Sequence, residues 1–80
     1  MIYHISVNKG NWTNEFYTSD YDEFFDAATK VIMEELAESV GPAFITALPA
    51  FEAGDLHRLQ TDNVLLAVYD YVYDRRANEK

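Results

Sequence analysis

The chain contains no cysteine, which excludes disulfides and thiolate metal ligation outright. Bases are scarce as well: six Lys and Arg stand against fourteen Asp and Glu, a formal charge of −8. A surface so charged is repelled by nucleic acid and by anionic membranes, so direct binding to either is not expected. Long hydrophobic runs are also missing. The longest wholly apolar stretch, Val64 to Tyr69, is far shorter than the ~20 residues a membrane-spanning helix needs. The residues Met1-Ile2-Tyr3-His4-Ile5 lack the basic region and long apolar run of a signal peptide. Secreted domains this small often carry disulfides, so a cytoplasmic setting is expected.

Signatures of catalysis are equally thin. Gly10, Gly41 and Gly54 stand alone, leaving no Gly-rich phosphate loop. Ser6, Ser19 and Ser39 sit in no G-x-S-x-G or S-x-x-K setting. His4 and His57 are too few and too far apart to suggest a zinc site. Glu52, Asp55 and His57 are the best catalytic candidates, as acid, orienting carboxylate and base, but a polar loop beside a helix start explains them more simply. Asp20, Asp22, Glu23 and Asp26 lack the spacing of a calcium loop and suit a capped helix start instead. No catalytic residue, metal or cofactor is therefore expected.

What the sequence does have is apolar mass, 49% of its 80 residues, enough for one domain with its own core. Aromatics reach 15%, a generous share, and surplus rings on a small domain often serve an interface. Residues 1–18 alternate with a period of two around the turn residues Asn8-Lys9-Gly10-Asn11, which predicts a β-hairpin. A helix is predicted over 20–40, capped by Ser19 or Asp20, with Asp22 or Glu23 set for the reciprocal capping contact. Tyr21, Phe25, Ala28, Ile32, Leu36 and Val40 form its apolar stripe, and Gly41-Pro42 supplies the stop. A short helix over 42–48 is predicted to end at Pro49. Thr61 or Asp62 can cap a last helix over 62–76. This segment is rich in β-formers, yet alternation separates no polar face, while Asp70, Asp74 and the terminal Arg75-Arg76 suit a helix. The expected fold is thus α+β: a hairpin, a long amphipathic helix, a short helix and a C-terminal helix.

Charge is concentrated within this plan. Eight acids lie between Glu15 and Glu38, opposed only by Lys30. Asp22, Asp26, Lys30, Glu34 and Glu38 recur at intervals of four, each step rising about 6 Å, a spacing comparable to phosphates along a nucleic-acid strand. Such a stripe is also an ordinary solvated helix face, with Lys30 pairing its neighbours. The partner-binding residues expected are Asp22, Glu23, Asp26, Glu34, Glu35 and Glu38, with Tyr69 and Tyr73 for close contacts. The partner expected is a protein with a basic surface. The competing expectation is a homodimer or assembly module, driven by Leu66, Tyr69 and Tyr73 with help from Phe44 or Phe51.

In size, acidity, aromatic content and lack of cysteine the chain resembles small phage-encoded inhibitors, the anti-CRISPR and DNA-mimicking anti-restriction proteins. The stretch Phe51-Glu52-Ala53-Gly54-Asp55-Leu56, through Gln60-Thr61-Asp62-Asn63-Val64 to Val72-Tyr73-Asp74, is similar to the Ocr-type anti-restriction family of coliphages. That similarity covers less than a third of the chain, and the predicted hairpin and the missing acidic tail depart from the family. The resemblance implies an inhibitor of a nucleic-acid-binding protein, and it transfers no functional residue.

Overall fold

The structure is a computed structural model that describes residues 1–69. Its N-terminal hairpin follows the sequence alternation. Strand β1, Ile2–Asn8, pairs antiparallel with β2, Thr13–Thr18, from Tyr3↔Thr18 to Asn8↔Thr13. The Lys9 amide donates to the Trp12 carbonyl at 2.9 Å to close the turn. Gly10 takes φ 76° there, a conformation that side-chain-bearing residues adopt only with strain.

Helix α1 spans Tyr21–Glu35, and Asp20 is its cap, the carboxylate accepting the Asp22 amide at 3.0 Å. The reciprocal capping contact does not form, because Glu23 instead accepts a hydrogen bond from the Thr18 hydroxyl. The helix ends five residues before the expected Val40. Leu36 turns extended at φ −112° and ψ 150°, and its amide closes onto the Ile32 carbonyl. The last turn carries Glu34 and Glu35 and no base, so the helix dipole does not stabilise an end at this point.

Helix α2, Gly41–Ala53, corrects the expectation of a short helix over 42–48. Gly41 starts this helix and does not stop the previous one. A Cβ there would lie 3.4 Å from Ile32 Cγ2, an ordinary contact distance, so α2 begins close against α1. Pro49 does not end the helix. It lies on the exposed side, between Leu48 and Phe51, both fully buried. Burying two such side chains contributes about 1.5–3 kcal/mol each, which offsets the roughly 3 kcal/mol cost of an interior proline. Gly54, at φ 85°, closes the helix in the left-handed conformation.

The larger correction concerns the C-terminal half. Where a helix over 62–76 was expected, Arg58–Gln60 forms β3 and Val64–Tyr69 forms β4. Strand β4 pairs antiparallel with both β1 and β3, so the sheet order is β2-β1-β4-β3, with β1 and β4 central. A central strand with both sides covered shows no alternation of polar and apolar residues. Val64, Leu66 and Val68 are buried beneath the helices, while Ala67 is buried and Leu65 half-buried on the opposite side. Thr61, expected as a helix cap, accepts the Asn63 and Val64 amides at 3.3 and 3.1 Å. These are the bonds a cap makes, used here to close the β3–β4 turn. The residues 70–76 of the expected helix, with Asp70, Asp74, Arg75 and Arg76, lie outside the described residues.

Both helices pack on the sheet face carrying Tyr3, Ile5 and Val7, joined by Val64, Leu66 and Val68. Phe24, Ala28 and Ile32 of α1 and Phe44, Leu48 and Phe51 of α2 complete that core. Among the described residues, no helix is long and apolar enough to cross a membrane.

Candidate partner-binding surface

The core requirement fixes which way α1 faces. At about 100° per residue, Asp22, Glu23, Asp26, Lys30 and Glu34 fall within an arc of roughly 120° centred opposite Phe24, Ala28 and Ile32. All five are exposed, and Asp22 to Glu34 span about 18 Å along the axis. Lys30 forms no salt bridge with Asp26 or Glu34, so the neutralising pairs expected of a solvated stripe are absent among the described residues.

The other expected site residues separate from this arc. Glu35 falls on the core side, is half-buried, and binds Lys9 Nζ at 2.7 Å, which ties the end of α1 to the hairpin turn. That pairing gives it a structural role. Glu38 is exposed in the loop after α1, so the series at intervals of four breaks at Glu34. Tyr73 lies outside the described residues. Tyr69 ends β4 on the face away from the helices, its hydroxyl 3.2 Å from His4 Nδ1. There His4 is buried, stacked on Tyr17 at 4.2 Å between ring centroids, and its Nε2 lies 3.8 Å from Glu15. Of the apolar residues expected to drive a homodimer, Leu66 and Phe51 are fully buried and Phe44 nearly so, while Tyr69 is half-buried.

Glu52, Asp55 and His57 do not assemble into a hydrogen-bonded group among the described residues. Glu52 instead sits near Tyr3 and Tyr21. Burial raises both phenols above their ordinary value of 10.0, and the Glu52 carboxylate adds to the effect. No group of three or more His, Asp or Glu side chains that could hold a metal converges among the described residues.

One feature escaped the sequence patterns. The end of α1, the loop after it and the start of α2 form a groove of about 400 Å³, lined by Ile32, Met33, Leu36, Glu38, Pro42 and Ile45 among others. Met33 is 74% exposed. Its signal in the sequence was an apolar residue falling within the acidic arc, on the line of Asp22 and Asp26. Comparison with protein-family models, curated proteins and solved structures finds no match to this chain.

Proposed function

We propose that this chain acts by binding and not by catalysis, as a small acidic inhibitor or regulator that occupies a basic site on a protein partner. The observation that carries this reading is the exposed arc of Asp22, Glu23, Asp26 and Glu34, left unneutralised by the one base within it. Glu34 adds weight because it sits in the last turn of α1, where a carboxylate works against the helix dipole. A charge kept where it lowers stability is what a binding role demands. Acids spread over about 18 Å suit a surface that ordinarily holds a nucleic-acid backbone. Phage anti-defence proteins of the anti-CRISPR and DNA-mimic kinds act in this way, and such a role places the chain in the cytoplasm of the host.

The test is affinity capture from bacterial extract with the wild-type chain and with the D22N/D26N/E34Q variant, at low and high salt. The partner retained by the wild type should be lost from the variant, released by salt, and displaced by duplex DNA or RNA. A partner held equally by both chains at both salt concentrations refutes the proposal.

A further inference from the structure

The groove at the α1–α2 junction narrows what kind of partner surface is met. It is a concave apolar strip formed by Ile32, Met33, Leu36, Pro42 and Ile45, and it takes an apolar ridge more readily than a flat surface. Its charged surroundings are mainly acidic, with Asp26, Glu34 and Glu38 against Lys30, which stands one turn before Met33. Glu38 lines it, no base does, and Asp26 lies two helical turns before Met33 on the same line of α1. Met33 is the residue best suited to receive a variable side chain, being unbranched, polarisable and 74% exposed. We infer that the groove docks a basic amphipathic helix of the partner, apolar side chains on Met33 and Ile45 and flanking Lys or Arg toward Asp26 and Glu38.

This inference rests on the acidic-surface reading and deepens it by naming the partner's element. A helix is favoured over an extended strand because the groove is walled by side chains of two helices and offers apolar anchors, not the backbone ladder that strand addition uses. A second copy of this chain is disfavoured by charge, since each copy carries −8 and would bring acids against Glu38 and Asp26. Of the bases near this end, Lys9 is bound to Glu35, and Lys30 stands alone among Asp26, Glu34 and Glu38.

The experiment uses three fluorescein-labelled peptides titrated against the full chain: a Leu/Lys amphipathic helix, its Leu/Glu counterpart, and oligolysine. The Leu/Lys peptide should bind at least about tenfold more tightly than oligolysine, and Met33→Ser should remove about tenfold of its affinity while leaving oligolysine unaffected. Because Met33 is exposed, Met33→Ser should fold normally, and methyl resonances of Met33 and Ile45 should shift on titration of the wild type. Glu38→Lys should weaken the Leu/Lys peptide and strengthen the Leu/Glu one. Equal affinity for the Leu/Lys peptide and oligolysine, both weakened by D22N/D26N/E34Q, overturns the groove while sparing the acidic surface. Tight binding of the Leu/Glu peptide to the wild type overturns the charge assignment. A sedimenting dimer that Met33→Ser converts to monomer assigns the groove to a second copy and overturns the inference.

Discussion

Asp22 and Glu34 face the same solvent and carry the same charge, yet they stand at opposite ends of α1, so neutralising them should move stability in opposite directions. Asp22 lies in the first turn, where the dipole of the Tyr21–Glu35 helix favours an anion. Replacing it with Asn removes an interaction of about 0.3–1 kcal/mol. For a domain of this size that lowers Tm by roughly 1–8 °C, at about 4–8 °C per kcal/mol. Glu34 lies in the last turn, where the same dipole opposes it. Glu34→Gln removes a penalty of about 0.3–1 kcal/mol and gives up any attraction to Lys30, at most about 0.5 kcal/mol. That attraction is at the low end, because no Lys30–Glu34 salt bridge forms. The net expectation is a Tm unchanged or raised by up to about 8 °C. Thermal melts followed by far-ultraviolet circular dichroism at low salt read both shifts. Repeating them near 1 M salt, where the Debye length falls to about 3 Å, should shrink the difference. On the proposed reading, both variants should nonetheless bind a basic partner more weakly. If Glu34→Gln lowers Tm as much as Asp22→Asn, Glu34 is held by a stabilising contact and the opposition between stability and binding at this position is wrong.

Three further outcomes follow from the fold. Pro49→Ala should raise Tm, because the exposed position regains an amide for the Ile45 carbonyl, and a net gain of about 1–2 kcal/mol remains after the looser unfolded chain is allowed for; a fall in Tm would mean that α2 depends on the proline for its path. Leu66→Ala should cost about 2–5 kcal/mol in urea unfolding, since Leu66 is fully buried between Ile5 and Leu59 in the sheet, whereas a surface dimer residue would cost little. Tyr3 and Tyr21 are raised in the folded protein by burial and then by Glu52, so the unfolded chain ionises first. Stability should hold below pH 10 and fall as pH rises past it, and Glu52→Gln should make the fall shallower in denaturation measured across that range.

The parts of this fold that the sequence made legible are those whose two sides differ. β1 and α1 each turn one face to the core and one to solvent, so Tyr3, Ile5 and Val7 alternate, and Phe24, Ala28 and Ile32 recur at helical spacing. Strand β4 has no such contrast. With β1 on one side, β3 on the other and apolar residues of both faces buried or half-buried, Val64–Tyr69 carries no periodicity, and only its β-branched and aromatic content pointed to a strand. Thr61 compounded the ambiguity, because a threonine oxygen that accepts two following amides looks the same before a helix as inside a tight turn. Pro49 misled in the other direction, since its cost is local and visible while the burial of Leu48 and Phe51 that offsets it is tertiary.

The candidate surface was legible to a similar depth. Exposure of Asp22, Glu23, Asp26 and Glu34 follows directly from where the core stripe lies. Glu35 could not be separated from them by composition, but its angular position on the core side already distinguishes it, and Lys9 completes the distinction by reaching across from the hairpin turn. The groove depends on α1 ending early. Had the helix continued to Val40, the loop carrying Glu38 would not exist, and Met33 would be an isolated apolar residue on a polar face. The helix ends where Leu36 turns extended and its amide closes onto the Ile32 carbonyl, and α2 then starts at Gly41 beside Ile32. The early end of α1 therefore leaves Glu34 and Glu38 on either side of the turn that opens the apolar strip, so charge and groove meet at the same place.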